Sequence, residues 1–458
     1  MKINCIDFIL YGRAETQFKS RQTNNIIMKN ILLSIILLTP GLSFSQRKAV
    51  ENVKYSRSSL HVMMIEDPAM MKKDIIINSF NSMPVPEKYN EHLLKDRYAN
   101  IIGELSEMTK AGIPGFKLNG IEDKIENYFK EKRIPNQLVG KWFNRDAKSG
   151  IMNMGLIKER GLYNATEDDA ADASMLQKGF AALERTGLDL IGNTFVVLEY
   201  FEFIDNEKVL RPAAEVAYEL AKAEAMKIEN QMVRDIALKT AKGILEKALE
   251  KAQGYNVWTH AFLYQLEWND SIQQVFKNRC WIGDNNKDKL SPEEKQKRMQ
   301  EFENPELFNL KFVGKSKATI LIMKGNSDRS ESDQIKEATI RSVNKVYVKL
   351  QKKYDVFKTK TPFFEMTKKG KVCNAKIGMK EGLKGGEKFD VLIPKYSSKG
   401  GTKYSKKGTI KVDKKAIWDN RYYVTRPPEL DSEDAIVATS FKGCKKGWDE
   451  LILLLRQQ

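Results

Sequence analysis

Apolar residues in the first three quarters of the chain follow the two-residue period of strands in four places. The predicted strands are residues 60–65, 194–204, 257–268 and 318–323. Both faces of residues 194–204 are apolar, so we expect this strand at the centre of a sheet that is covered on both sides. The alternating face of residues 257–268 is aromatic and includes His260, which we expect to be a packed core residue.

Helical periodicity separates these strands. Helices are predicted from Asp67-Pro68 to Phe80, over 121–129, 136–144 and 166–187, over 212–253, from Ser291 onward, and from Ser330 or Ser332 to 354. Thr166 followed by three acidic residues marks an N-terminus, and Gly187 marks the end of that helix.

Residues 212–253 form the longest helical pattern. As one helix they would span roughly 60 Å, so we expect a break, at Gly243. Ile228, Met232 and Ile236 form an apolar stripe on this segment. Core packing is the ordinary explanation of such a stripe, and binding of a partner is the alternative.

Beyond Pro362 short alternating strands are separated by Gly, Lys and Ser. They cover residues 372–377, 389–394, 408–412 and 436–441, and residues 396–405 form a long hairpin tip. The predicted fold class is α+β and multi-domain. A mixed α/β domain with long helices covers 46–356, with a helical insertion at about 210–254, and a small antiparallel β-barrel covers 362–458.

Residues 28–45 have the order of an export signal. A basic start at Met28 is followed by aliphatic residues 31–38 and by a small-x-small site ending at Ser45. The apolar stretch is about half of the roughly 20 residues that a membrane span needs. We expect Met28 to be the true start, residues 1–27 to be a misassigned extension, and the mature protein to be periplasmic or secreted from a Gram-negative bacterium.

Charged residues are unevenly distributed along the chain. The 458 residues carry 77 basic and 60 acidic side chains, a net charge of +17. Residues 311–458 contain 34 basic and 17 acidic residues, whereas residues 1–310 contain 43 of each. The net charge of the whole chain therefore belongs to its last third, where we place the domain boundary.

The candidate binding site is the basic segment 395–415, which contains one acidic residue, Asp413. The predicted site residues are Lys395, Lys399, Lys403, Lys406, Lys407, Lys411, Lys414 and Lys415, with Tyr396 and Tyr404 between them. One hypothesis is a surface that binds a polyanion or a partner. The other is a solvated hairpin whose lysines protect sheet edges from aggregation. Lysine supplies charge without bidentate base recognition, which argues against sequence-specific nucleic-acid binding.

The sequence contains no recognisable motif for catalysis, for metal binding or for cofactor binding. We therefore predict no catalytic residue, no metal and no cofactor. Gly314-Lys315-Ser316 lacks the upstream glycine of a phosphate loop. Asp328-x-Ser330-x-Ser332 is better explained as helix capping than as a metal loop. The three His are scattered, which argues against a His metal site or a catalytic triad. Paired carboxylates have no spacing rule, so a hydrolase that uses them stays an alternative.

Cysteine usage is low. Apart from Cys5, the chain has Cys280, Cys373 and Cys444, and no C-x-x-C pair. A bridge between Cys373 and Cys444 is one possibility, because both lie in the last domain, and buried free thiols are the other.

Two segments carry a resemblance to known families. Residues 376–391 followed by Gly408-Thr-Ile-Lys-Val412 resemble the C-terminal SH3-like barrel of the flagellar assembly protein T family. Residues 156–161 with Leu190-Ile-Gly-Asn-Thr-Phe195 resemble curli-secretion-type periplasmic α/β domains, without the lipobox of that family. The chain as a whole resembles secreted proteins of Bacteroidota. In proteins of that phylum, Asp270-Ser271-Ile272 would match an O-glycosylation pattern, with Ser271 as the modified residue.

Together these features predict an exported, non-enzymatic binding or assembly protein of the cell envelope. Its Lys-rich SH3-like barrel would dock on a protein partner or an anionic polymer. No membrane span is expected after signal cleavage.

Overall fold

The computed structural model describes residues 57–86, 88–102, 118, 120–161, 184, 187–323, 330–363, 365–366, 372–396, 402–421, 432, 435–445, 448 and 454–458. All of the described residues belong to one compact unit, residues 54–458. The predicted export signal, Lys399, Asp328 and most of the helix predicted from Thr166 lie outside the described residues.

The first sheet mixes parallel and antiparallel strands. It contains β1 (Ser59–Ile65), β2 (Asn90–Glu91), β3 (Tyr98–Ala99), β4 (Thr194–Asp205), β5 (Gly254–Leu266) and β6 (Leu310–Met323). The order is β2-β1-β4-β5-β6, and β3 also pairs with β1. Strand β1 is parallel to β2, β3 and β4, whereas β4, β5 and β6 are antiparallel. All four predicted strands of this part are confirmed, although β6 begins eight residues before its predicted start.

Strand β4 lies in the middle of this sheet, as its pattern predicts. The even-numbered residues from Val196 to Tyr200 are buried in one core cluster, and the odd-numbered apolar residues from Phe195 to Phe203 are buried in another. A strand that is apolar on both faces must be covered on both sides, because an apolar side chain that stays exposed does not gain the free energy of burial.

Nine helices have both of their ends within the described residues. They are α1 (Lys73–Ser82), α2 (Ile121–Glu131), α3 (Ile134–Trp142), α4 (Gly155–Gly161), α5 (Asn206–Met226), α6 (Gln231–Ala252), α7 (Asp270–Arg279), α8 (Pro292–Phe302) and α9 (Glu331–Lys353). Helices α1 and α9 contribute buried residues to the core on one face of the sheet, and α2, α3, α7 and α8 to the other. Ser291 and Ser330 cap α8 and α9, as predicted.

Two predicted helix ends are wrong. The Asp67 carboxylate does not cap α1, which begins at Lys73; it accepts hydrogen bonds from the Ala69 amide and from the Tyr200 hydroxyl, both at 2.9 Å. Gly187 does not end a helix either, because residues 187–191 are helical. At Asp67 the tertiary contact with Tyr200 replaces the local capping signal.

The long helical segment breaks at residues 227–230 and not at Gly243, which lies inside α6. The Asn230 side chain accepts a hydrogen bond from the Val233 amide at 3.2 Å and so starts α6. Asp205 starts α5 in the same way, with the Glu207 amide at 2.9 Å, which places Pro212 inside the helix. The predicted start at Pro212 is therefore wrong.

The second sheet is antiparallel and has seven strands. They are β7 (Thr361–Pro362), β8 (Glu365–Met366), β9 (Val372–Ala375), β10 (Lys388–Tyr396), β11 (Thr402–Val412), β12 (Thr439–Lys442) and β13 (Leu454–Gln457). Their order is β7-β13-β10-β11-β12-β9-β8. The α+β class is confirmed, but the terminal strands β7 and β8 do not pair in the described residues, so no closed barrel is described.

A disulfide bond lies in the core of the second sheet. Cys373 on β9 and Cys444 after β12 are bonded, with their Cα atoms 6.3 Å apart, which is an ordinary separation for a disulfide. Cys280 is a buried free thiol, and burial raises its pKa to about 12. Such a thiol is unreactive at neutral pH.

None of the described helices is both long enough and apolar enough to cross a bilayer.

Candidate functional site

The predicted lysines gather on the hairpin β10–β11 and on the turn that follows it. Those whose side chains are described are exposed: Lys403, Lys406, Lys407, Lys411, Lys414 and Lys415. Lys395 and Tyr396 end β10, and the hairpin tip lies outside the described residues. The antiparallel register explains the grouping, because alternate residues of two paired strands project from one face of the sheet.

Lysines form a row across three strands. Lys411 on β11 lies directly opposite Lys388 on β10 and Lys442 on β12, and all three are exposed. Neighbouring strands are about 4.8 Å apart, and like charges that face each other in this way destabilise a sheet. The Asp413 carboxylate compensates one of them, at 2.9 Å from the Lys442 ammonium. The row gives this face a positive potential that stability alone does not explain.

A groove beside this row is lined by cationic and apolar side chains. Its volume is about 480 Å³. The cationic side chains are those of Lys384, Lys414, Lys415 and Arg421, and the apolar ones are those of Met379, Leu383, Ile417 and Ile436. Arg421 is held by Asp419, with nitrogen–oxygen distances of 2.6 and 2.8 Å.

The three lysines of the groove keep their charge exposed. Among the described residues, no carboxylate forms an ion pair with Lys384, Lys414 or Lys415. We refer to the groove and the lysine row together as the cationic face. Its geometry suits an anionic group that also carries an apolar or sugar-like body.

The cationic face continues onto helix α9, which the sequence did not indicate. Arg341, Lys345 and Lys349 are exposed and recur every four residues. The pKa of Lys345 is lowered by burial first, and then by repulsion from Lys349, Arg341 and Lys384. Lys384 belongs to the groove, so the helix and the groove share one electrostatic neighbourhood. The signal was present as a basic i, i+4, i+8 stripe, but its position beside the groove depends on tertiary structure.

Two predicted site residues already contact other side chains of the protein. Tyr404 is partly buried and packs on Leu392, with the Lys360 ammonium 4.5 Å from its ring centre. Burial raises the pKa of Tyr404. The Lys406 ammonium lies 2.7 Å from the carboxylate of Asp390. Neither side chain is as available to a ligand as the lysines of the groove.

A second cavity of about 320 Å³ lies next to the first, because Arg421 lines both. Apolar residues line most of it, together with Arg97 and Tyr347. Glu199 on β4 interacts with both of these residues, and its pKa is raised to about 8 by burial, against the opposing effects of Tyr347 and Arg97. Its two carboxylate oxygens are buried without a hydrogen-bond partner of good geometry among the described residues.

The surroundings of Glu199 bear on the hydrolase alternative. The groups that act on its pKa are a tyrosine and an arginine, and neither is a carboxylate. A buried, largely protonated carboxyl next to a cavity is chemically notable, but a glycosidase mechanism needs a second carboxyl group beside it.

The structure brings together two of the three histidines, which the sequence had suggested were scattered. His92 donates from Nε2 to the Leu138 carbonyl at 2.9 Å and accepts at Nδ1 from Arg160 at 3.2 Å. His61 accepts at Nδ1 from the Leu94 amide at 3.3 Å, and burial lowers its pKa to about 3.

The structure favours a packing role for these histidines, because three of their four ring nitrogens bond to protein groups and an arginine lies beside them. The fourth, His61 Nε2, is buried without a hydrogen-bond partner among the described residues. No cluster of three or more metal-ligating side chains occurs in the part of the chain that the structure describes. His260 lies at the edge of the core, with Nε2 3.3 Å from Glu202 Oε2.

Ser271 is exposed in the first turn of α7, after the Asn269 cap. Gly314-Lys315-Ser316 lies within strand β6 and not at the start of a helix, so it forms no phosphate loop.

Comparison with known families and with curated proteins found no match to this chain.

Proposed function

We propose that the protein is an exported binding protein of the cell envelope, and that its cationic face binds an anionic polymer. The observation that carries the proposal is the groove lined by Lys384, Lys414, Lys415 and Arg421, with no acidic side chain among the described residues of its lining. A row of lysines that oppose one another across strands extends this positive surface.

Several features favour a polymer over a folded protein partner. The cations are lysines, which recognise charge without the planar geometry of arginine. They are spread over strands and a helix, so they match a chain of regularly spaced anions better than one compact acidic patch. An acidic envelope polysaccharide has this chemistry. An acidic protein partner is the competing occupant.

Binding can be tested with two defined probes, polygalacturonate and inorganic polyphosphate. The triple variant Lys384→Gln, Lys414→Gln, Lys415→Gln should bind at least tenfold more weakly at low salt. Its affinity should also fall less steeply with salt concentration, because fewer counterions are released. The matched control is Lys277→Gln, Lys289→Gln, Lys297→Gln, which removes the same charge from exposed positions elsewhere. Equal weakening in both triple variants would leave only a net-charge effect and contradict the proposed site.

Export is proposed from the sequence of residues 28–45. Fractionation of native cells and N-terminal sequencing of the mature protein test it. We expect a periplasmic or secreted protein that begins at Gln46. A cytoplasmic protein that retains residues 1–45 would contradict this part of the proposal.

A further inference from the structure

The cavity beside Arg97 has the size and the apolar lining of a small-molecule site. Its volume is about 320 Å³, which lies within the range of such sites. At about 30 Å³ for each group in a liquid, it holds roughly ten non-hydrogen atoms. The apolar lining comes from β1, from α9 and from the segment after α1: Val62, Ile340, Val343 and residues 83–86. We call this space the Arg97 cavity.

The segment after α1 gives the Arg97 cavity a rigid part of its lining. Pro84 and Pro86 have fixed φ angles and no N–H group, so the segment offers no backbone donor at either position. The Pro86 carbonyl accepts a hydrogen bond from the Tyr89 amide at 2.9 Å, which fixes the end of the segment. A site that is formed before its ligand arrives loses less conformational entropy on binding.

Arg97 is a half-buried cation of the lining, and contacts on two sides fix its guanidinium group. Nε donates a hydrogen bond to the Val62 carbonyl at 3.4 Å, and the guanidinium carbon lies 4.5 Å from the centre of the Phe80 ring. The two terminal nitrogens have no hydrogen-bond partner among the described residues. These two nitrogens form the edge of arginine that binds a carboxylate through two parallel hydrogen bonds.

The charge of Arg97 is not neutralised by a carboxylate. Among the described residues, no acidic side chain lines the cavity and none forms an ion pair with Arg97. The carboxyl group that acts on it, Glu199, is fully buried, and burial raises its pKa to about 8, so it is mostly uncharged at neutral pH. Lys380 adds a second positive charge to the lining, whereas Arg421 is already held by Asp419. The lining therefore matches a ligand that carries an anionic group.

We propose that the Arg97 cavity binds a small carboxylic acid with an apolar chain or ring, and that Arg97 holds the carboxylate. The planar edge of the guanidinium group matches a carboxylate, and the apolar lining covers the body of the ligand. A polymer does not fit in a space for about ten atoms. This ligand is therefore different from the one proposed for the cationic face, and its site is a second one.

Isothermal titration calorimetry with octanoate, whose size matches the cavity, tests the site. The wild type should bind one octanoate per chain with a dissociation constant below about 1 mM. Octanol has the same chain without the charge and should bind at least tenfold more weakly. The variant Arg97→Gln should bind octanoate at least tenfold more weakly than the wild type, because it cannot form the bidentate pair.

A second variant fills the cavity and keeps its charge. Asn344 lines the cavity from a half-buried position on α9, so Asn344→Trp places a large side chain in the space. This variant should not bind octanoate, and it tests the site even if Arg97→Gln does not fold. The matched control for charge is Arg279→Gln, at the exposed end of α7, which should bind octanoate as the wild type does.

The apolar stripe of α6 supplies a control for adsorption of the alkyl chain. Met232 and Ile236 are exposed, at 74% and 61%, so the core explanation of this stripe is wrong and an alkyl chain can reach it. The double variant Met232→Gln, Ile236→Gln should bind octanoate with the affinity of the wild type. Loss of binding in this variant would assign the octanoate to the stripe and overturn the proposal.

Three further results would overturn the proposal. They are no saturable binding of octanoate by the wild type, equal affinity for octanol and octanoate, and octanoate binding that survives both Arg97→Gln and Asn344→Trp. None of them would affect the anion site of the cationic face. The triple variant Lys384→Gln, Lys414→Gln, Lys415→Gln should bind octanoate as the wild type does, and Asn344→Trp should bind polygalacturonate as the wild type does.

Discussion

Lys345 on helix α9 donates a hydrogen bond from Nζ to the backbone carbonyl of Thr319 on strand β6, at 2.7 Å. The same arrangement recurs along the strand, with Lys349 on the Lys317 carbonyl at 2.8 Å and Lys353 on the Lys315 carbonyl at 3.3 Å. Strand β6 is the edge of the first sheet. Lysines four residues apart thus satisfy carbonyls two residues apart, since both repeats advance about 6 Å.

This edge contact predicts a role in solubility. The double variant Lys345→Ala, Lys349→Ala should leave the edge carbonyls of β6 open to pairing with another chain. We expect faster aggregation on mild heating, measured by light scattering. The melting temperature should fall by only a few degrees, because an exposed hydrogen bond contributes about 1 kcal/mol. Lys352→Ala removes an exposed lysine of the same helix, and it should aggregate at the wild-type rate. Unchanged scattering in the double variant would contradict the edge role.

The buried carboxyl of Glu199 predicts a pH dependence of stability. Its pKa is about 8 in the folded protein, against 4.5 as the ordinary value. Between these values the folded state holds a proton that the unfolded state releases, so the free energy of unfolding falls as pH rises from about 5 to 8.

Glu199→Gln keeps the shape of the side chain and removes this titration. Its melting temperature should exceed that of the wild type by a margin that grows from pH 5 to pH 8. Glu159→Gln, at an exposed position, is the control and should follow the wild-type profile. Parallel profiles for wild type and Glu199→Gln would show that the carboxyl does not titrate in this range.

Substitution of two glycines by alanine should change the stability of the protein in opposite directions. Gly314 has φ +154° at a bulge of β6, and a Cβ there would collide with the Tyr354 ring. Gly314→Ala should therefore destabilise the protein by about 2 kcal/mol. Gly243 lies inside α6 with open space around its Cα, so Gly243→Ala should stabilise the helix by up to about 1 kcal/mol. Urea unfolding of both variants measures this; the same sign in both would contradict the assignment.

Because of the disulfide, we expect reductant to lower the stability of the protein. Cys373 and Cys444 are 71 residues apart in sequence, and closing a loop of this length stabilises a fold by about 4 kcal/mol in the chain-entropy model. Dithiothreitol should lower the melting temperature of the wild type. The double variant Cys373→Ala, Cys444→Ala should melt at the lower temperature with or without reductant. A wild type that is unaffected by complete reduction would contradict this stabilising role.

The sequence by itself determined the local elements of this protein. Alternation predicts four of the six strands of the first sheet, and apolar residues on both faces place β4 at its centre. Ser291 and Ser330 cap their helices, and the charge count assigns the net basicity to the last third. Periodicity, capping and composition are properties of neighbouring residues, so the sequence displays them directly.

Tertiary structure decided which elements meet. The stripe through Met232 and Ile236 has the pattern of a core face, but nothing in the described chain covers it. The Arg341, Lys345 and Lys349 stripe has the pattern of a solvated face, but it lies along β6 and beside the groove. A periodic pattern shows which side of an element is apolar or charged. The surface that this side meets depends on contacts between residues far apart in the chain, which a local pattern does not contain.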